Sequence, residues 1–214
     1  MTFTFKTETN HSVISVEGLI GCGKSTFCRW VRKNTRMLVA DESESPLLTA
    51  FYDNPKRWAF ATQIDLLTQR TAMLKTANKV KHNRTVVLDR SVVGDRAFAR
   101  TQWKLGFLDP HEYRLYDDVY HTLLEDVEAP CSILWLNVSI ETALKRIEKR
   151  GRSESVNTEY LTQLAESYNR TLEELEGRGV HVHRVDWNHE LIDTQYSYYA
   201  DKTLTQLLRD RDEG

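Results

Sequence analysis

The 214-residue chain sets 29 Lys and Arg against 31 Asp and Glu, a formal net charge of -2, and 40% of its residues are hydrophobic. That length suits one domain, taken as 1–214 with short flexible ends, and a balance so near neutral excludes a nucleic-acid binder held by bulk electrostatics. No apolar run reaches transmembrane length, Met1-Thr2-Phe3-Thr4-Phe5 lacks the regions of a signal peptide, and three cysteines without metal spacing suit a reducing cytosol, so a cytoplasmic location away from membranes is expected.

The first element is Ser12-Val13-Ile14-Ser15-Val16, whose alternation and β-branching read as a strand, and Phe27 to Lys33 reads as a helix. Between them Gly18-Leu19-Ile20-Gly21-Cys22-Gly23-Lys24-Ser25-Thr26 fits G-x-x-x-x-G-K-[ST], a phosphate-binding loop in its required strand-to-helix setting. Glycines let successive backbone N–H groups face phosphate oxygens, and the helix that follows adds the positive end of its dipole. Lys24 can reach the β- and γ-phosphates of a nucleotide, and the Ser25 hydroxyl can ligate Mg²⁺. Cys22 reads as a small loop residue, although a thiol in this field could also be made reactive.

Met37-Leu38-Val39-Ala40 is a second short strand, followed by the acidic residues Asp41, Glu42 and Glu44. A long helix is predicted from about Pro55 to Lys79, opened by proline at its first turn. Thr85 to Leu88 is a buried parallel strand by composition, with Asp89 and Arg90 at its carboxyl end. Asp109-Pro110 is a helix-start signal, and a Tyr- and Leu-rich helix runs on to about Asp126. Ser132 to Val138 is the fourth strand, helices start near Ile140 and Thr158, and a fifth strand spans Val180 to Val185 before a last helix. This repetition implies an α/β fold, a five-stranded parallel sheet with helices on both faces, and ligands at the carboxyl ends of its strands.

Within the long helix Phe60, Gln63, Leu67, Arg70 and Leu74 share a face at spacings of three and four. Gln63 and Arg70 interrupt that apolar stripe, and a buried amide or guanidinium is costly unless its hydrogen bonds are met. Either a structural partner or a polar ligand must satisfy them. Further along, Lys145, Arg146, Lys149, Arg150 and Arg152 form a basic run. Arg146 and Arg150 lie four apart on one helix face, and Gly151 frees the chain so that Arg152 can swing inward. Cations closing over a transferring phosphoryl group stabilise its transition state, whereas the same run without a phosphate loop is a solvated face.

Five motifs, in order, resemble the deoxyribonucleoside kinase family over about residues 12–192. They are Glu17 to Thr26, Phe51 to Phe60 with Gln63 and Arg70 beyond, Leu88-Asp89-Arg90-Ser91 with Asp95 and Phe98, Arg146 to Glu154, and Tyr160-Leu161. The resemblance implies a P-loop kinase fold with an arginine-rich lid at about 146–156, ATP and Mg²⁺ as donor pair, and transfer of the γ-phosphate to the 5′-hydroxyl of a deoxyribonucleoside. It implies that Glu42 accepts the hydroxyl proton, that Asp89 holds Mg²⁺ with Ser25 or shares the base role, and that Arg90 neutralises the phosphoryl oxygens. Sequence does not divide base and metal roles between Glu42 and Asp89. By the same resemblance Arg146, Arg150 and Arg152 close on the donor phosphates, Gln63 reads the base edge, Phe98 stacks on the base, and Tyr52 and Glu154 bind the 3′-hydroxyl. Arg70 and Asp95 match the pair that relatives use for amino-bearing bases, so deoxyadenosine, deoxyguanosine or deoxycytidine is expected ahead of thymidine. Relatives are commonly homodimers, and the aromatic stretch Trp103 to Tyr120 could supply the face.

The chain departs from the family in three places. Asp89 replaces the usual glutamate, Ser43 replaces the proline after the base so that the base assignment could slip to Glu44, and Ser155 replaces the second acid after Arg152. Asp186-Trp187-Asn188-His189-Glu190 is a weak match to the loop over adenine. A nucleoside monophosphate kinase such as a thymidylate kinase would share fold and lid, but a tyrosine or histidine is then expected at the position of Ser91. A GTP-dependent switch protein needs Asn-Lys-x-Asp, and Asn78-Lys79-Val80-Lys81 lacks the aspartate.

Overall fold

The structure is a computed structural model that describes residues 11–42, 45–151, 156–189 and 193–213, with the backbone alone at 193, 194 and 211–213. Its strands are β1 (Val13–Glu17), β2 (Leu38–Ala40), β3 (Val86–Asp89), β4 (Ser132–Asn137) and β5 (His181–Asp186). They form one parallel sheet in the order β2-β3-β1-β4-β5. Around it lie α1 (Lys24–Asn34), α2 (Leu48–Asp53), α3 (Pro55–Val80), α4 (Val92–Lys104), α5 (Pro110–Leu123), α6 (Ile140–Lys149), α7 (Thr158–Glu176) and α8 (Asp193–Glu213).

Strand alternation divides the core. Val13, Val86 and Leu88 join Leu67 and Leu74 of α3 and Tyr116 and Tyr120 of α5. Ile14, Val16 and Val87 join Phe27 and Val31 of α1 and Leu204 and Leu207 of α8. A sheet covered on both faces needs near-continuous apolar strands, and β1 and β3 are buried throughout. The central position of β1 therefore puts its carboxyl end, where the phosphate loop begins, in the middle of the upper sheet edge.

The predicted strands match within one residue, and the long helix ends one residue later than expected. α1 starts earlier, at Lys24, because the loop's own Gly23 serves as its N-cap. α5 ends at Leu123 rather than near Asp126, which takes a positive φ of 61° in the turn beyond. Two helices were not foreseen, α2 and α4. α4 buries Asp95, Arg100, Thr101 and Gln102 along with its apolar residues, so no apolar stripe marks it in the sequence. Its N-cap is legible afterwards: Ser91 Oγ accepts the Val93 amide at 3.2 Å. Tyr116 and Tyr120 are core, which leaves Trp103, stacked on Tyr113 at 4.8 Å, and Leu115 as the exposed apolar residues of the Trp103–Tyr120 stretch. Among the described residues no helix is long and apolar enough to cross a membrane.

Candidate active site

The loops leaving β1, β2 and β3 converge at the carboxyl edge of the sheet. The first is the phosphate loop, Gly18 to Gly23. Gly21 has φ +83°, and a Cβ there would stand 2.6 Å from the Ala143 carbonyl oxygen, so no other residue fits beneath α6. Lys24 is buried and donates to the carbonyls of Gly18 at 3.3 Å and Leu19 at 3.1 Å, which hold its ammonium inside the loop. Cys22 is fully buried, with its Sγ 3.8 Å from Lys24 Nζ and its carbonyl accepting from Arg146 Nη1 at 2.8 Å, so it is a packing residue of the loop. Ser25 and Thr26 are exposed in the first turn of α1.

Behind the loop stands a carboxylate that no sequence argument singled out. Glu17, fully buried at the end of β1, accepts from Ser15 Oγ at 2.8 Å, the Ser91 amide at 2.8 Å, Ser91 Oγ at 3.0 Å and Tyr168 Oη at 3.0 Å. A buried charge is tolerable when its lone pairs are filled in this way. Tyr168 in turn accepts from Arg90 Nη1, so Glu17 and α7 together aim the Arg90 side chain. The available signal was an acid directly before the loop glycine, at the end of a strand otherwise suited to burial.

Arg90 follows β3 with φ +70°, a left-handed conformation that costs a non-glycine residue about 1–3 kcal/mol and that its partners must hold. Its guanidinium lies 4.7 Å over the Phe98 ring, and its Nε donates to Glu42 Oε1 at 2.7 Å. Arg70 of α3 reaches the same oxygen through Nη2 at 3.1 Å and pairs through Nη1 with Asp95 of α4. The Arg70 and Arg90 side chains are only 4% and 3% exposed, whereas Glu42 is 35% exposed and opens the group to solvent. Burial alone would raise the Glu42 carboxyl, but Arg90, Lys24 and Arg70 outweigh it and bring the pKa down to about 2.

Asp89 is buried at the end of β3, and its Oδ1 has no hydrogen-bond partner among the described residues. Burial pushes its carboxyl above the ordinary 3.8, against the pull of Lys24 and a hydrogen bond from Ser25. Gln63 Oε1, Arg70 Nε and Asp95 Oδ2 are among the other buried atoms that lack partners within the described residues. They belong to the two residues that break the apolar stripe of α3 and to the acid of α4 that pairs with Arg70.

The remaining predicted residues divide. Phe98 packs edge-on against Tyr168 as well as beneath Arg90. Tyr52 lines a cavity of about 170 Å³ with Phe51, Pro55, Leu105, Phe107 and Tyr160, and that lining does not include Gln63, Arg70, Asp95 or Phe98. Of the basic run, Arg146 clamps the phosphate loop to the segment after β5, donating to the carbonyls of Cys22, Trp187 and His189. Lys145 pairs with Glu141 on the surface, and Arg150 is exposed at the end of α6. Arg152, Glu154 and the alternative base Glu44 lie outside the described residues, as do Ser43, Ser155 and Glu190.

A parallel sheet with a phosphate loop after its central strand, and with carboxylates and buried arginines on the adjoining loops and helices, defines a P-loop phosphotransferase. The deoxynucleoside kinase family model matches residues 14–205. The chain is 31% identical over 169 residues to a deoxyguanosine kinase of Bacillus subtilis, covering 76% of this chain and 79% of that protein. It is 31% identical over 186 residues to a deoxyadenosine kinase of Dictyostelium discoideum, covering 85% and 74%. The solved structure of a deoxyadenosine kinase from M. mycoides with the products dCMP and dCDP bound superposes with a TM-score of 0.77 at 27% identity, over 91% of this chain and 99% of that one. The chain belongs to the deoxynucleoside kinase family. It is an ATP-dependent phosphotransferase acting on a deoxynucleoside, which decides against the monophosphate-kinase and switch-protein alternatives.

Two outcomes follow from this geometry. A Cβ on Gly94 would stand 2.5 Å from Tyr168 Oη and 2.7 Å from Glu17 Oε2. Gly94→Ala should therefore destabilise the fold by about 1–3 kcal/mol in urea denaturation and lower turnover through Arg90. The Glu42 pKa is depressed in the folded state, so its contribution to stability is complete above the ordinary 4.5 and is lost as pH falls towards 2. Urea midpoints should show Glu42→Gln less stable than the parent at pH 7, with the gap closing below pH 4.5; a constant gap contradicts the ion-pair account.

Proposed function

We propose that this kinase phosphorylates the 5′-hydroxyl of deoxyadenosine, deoxyguanosine or deoxycytidine in preference to thymidine. The observation that carries the reading is the buried trio Gln63, Arg70 and Asp95, which presents the acceptors Gln63 Oε1 and Asp95 Oδ2 and the donor Arg70 Nε without partners among the described residues. An amino-bearing base edge supplies an N–H donor to those acceptors and a ring or carbonyl acceptor to the guanidinium. Thymine would bring its methyl group towards a buried ion pair, a desolvation cost without return. The relatives named deoxyguanosine and deoxyadenosine kinase, and the dCMP product in the M. mycoides structure, support the same choice. In this reading Phe98 stacks on the base, and Tyr52 and Glu154 bind the 3′-hydroxyl.

Glu42, ionised at any working pH, accepts the hydrogen bond of the 5′-hydroxyl, aligns its oxygen for in-line attack on the γ-phosphorus as the bond to the leaving ADP breaks, and takes up the hydroxyl proton. Arg90, already on the same carboxylate, meets the charge that develops on the phosphoryl oxygens. In this reading the backbone N–H groups from Gly18 to Gly23, with Lys24 and Thr26, hold the donor phosphates, and the lid of about 146–156 contributes the charges of Arg146, Arg150 and Arg152 to them. The unpartnered Asp89 Oδ1 beside the Ser25 hydroxyl is a hard-oxygen donor set that fits Mg²⁺. When bound there with the nucleotide, Mg²⁺ neutralises the β- and γ-oxygens. This assignment gives Asp89 the metal and Glu42 the hydroxyl. The reading also takes the chain as one kinase domain, located in the cytoplasm, and as a homodimer joined through exposed Trp103 and Leu115.

A steady-state panel of four deoxynucleosides with ATP and Mg²⁺ tests the preference. Thymidine should rank last in kcat/KM, and thymidine ranking first overturns the reading. Arg70→Met combined with Asp95→Ala should shift the ratio towards thymidine; the two are changed together because removing one partner of a buried pair costs about 3–5 kcal/mol. Asp89→Asn should lower kcat at least about a hundredfold while leaving nucleoside affinity within a factor of about three. Near-normal kcat would remove the metal assignment.

A further inference from the structure

At the far end of β5 a group of donor atoms takes no part in the kinase site. The strand begins His181-Val182-His183, and strand alternation puts the two imidazoles on one face. The intervening positions face the other way, where Arg184 pairs with Glu176 of α7. α8 brings Asp210 to the imidazole face, with His183 Nδ1 3.0 Å from Asp210 Oδ2. Gln206 Nε2 donates to the other oxygen of Asp210 and so fixes the carboxylate. His181 Nδ1 is buried and has no hydrogen-bond partner among the described residues. One ligand atom from each of the three residues lies within 4.8 Å of the others.

We propose that His181, His183 and Asp210 bind a divalent transition-metal ion of the zinc type, which clips α8 to the edge strand β5. Two imidazoles and one carboxylate suit Zn²⁺, with its nitrogen and oxygen ligands at about 2.0–2.2 Å, and suit Mg²⁺ poorly, since it demands oxygen donors. Donors around a tetrahedral zinc stand about 3.3 Å apart, so rotation of the half-buried rings closes the group. Each neutral imidazole keeps one proton, on the nitrogen turned away from the metal, and water fills the fourth position. Gln206 then acts as the outer partner that orients the carboxylate. Its place in the sheet separates this site from catalysis. His181 pairs with Ser132, the first residue of β4, so the cluster lies at the amino end of the strands, whereas phosphoryl transfer is built at their carboxyl ends. The consequence is stability of the C-terminal helix rather than turnover.

The test uses the full chain, stripped of metal, kept reduced and free of nucleotide, titrated with Zn²⁺ against a chromophoric chelator and melted with and without the ion. One zinc per chain and a zinc-dependent rise in Tm are expected. Both should weaken at least about tenfold in apparent affinity in His181→Ala and Asp210→Asn, with kcat for the nucleoside unchanged. If His181→Ala does not fold, His181→Gln, which keeps size and polarity, takes its place. Wild-type affinity in the histidine variants, zinc that leaves the parent's Tm unmoved, or loss of binding instead in Cys131→Ser, which removes the free thiol just before Ser132, would each overturn the assignment.

Discussion

One carboxylate oxygen holds the site together. Glu42 Oε1 receives both the Arg70 and the Arg90 guanidinium, and these two cations, each almost wholly buried, could not share so small a space without an anion between them. Arg70 comes from α3 and is also tied to α4 through Asp95, while Arg90 comes from the end of β3 and is tied to α7 through Tyr168. Glu42 thereby joins the part of the molecule proposed to read the base to the part proposed to meet the phosphoryl group. Its depressed pKa is the electrostatic trace of that position.

The scaffold supports this junction from beneath. The fully satisfied Glu17 carboxylate fastens the end of β1 to the start of α4 and to α7, and Gly94 keeps the space it needs. Arg90 can then stay in its left-handed conformation, because its backbone N–H bonds Val16 and its side chain is held by Glu42, Tyr168 and the Phe98 ring. Arg146 performs a comparable service for the phosphate loop by binding it to the carbonyls after β5. A basic residue read from sequence as lid is thus seen as a clamp on the loop.

The sheet was legible because β1 to β4 are short and largely apolar, and the phosphate loop because its spacing states its own geometry. Gln63 and Arg70 were legible as polar breaks in an apolar stripe, and both are buried. α4 escaped notice for the opposite reason: its buried face carries Asp95, Arg100 and Gln102, so periodicity had nothing to register. Glu17 and Tyr168, 151 positions apart, meet only in the folded chain, and no local pattern announces such a pair. The same holds for His183 and Asp210 across β5 and α8.

The central claim is that the Glu42 carboxylate aligns the reacting hydroxyl while it binds the two arginines. The most direct measurement is kcat for Glu42→Gln on its best deoxynucleoside, set beside the nucleoside Kd from equilibrium titration at pH 7. A fall in kcat of about a hundred- to ten-thousandfold, with Kd changed by less than about tenfold, is the predicted result. A kcat within about threefold of the parent would contradict it and move the role of hydroxyl partner to another carboxylate.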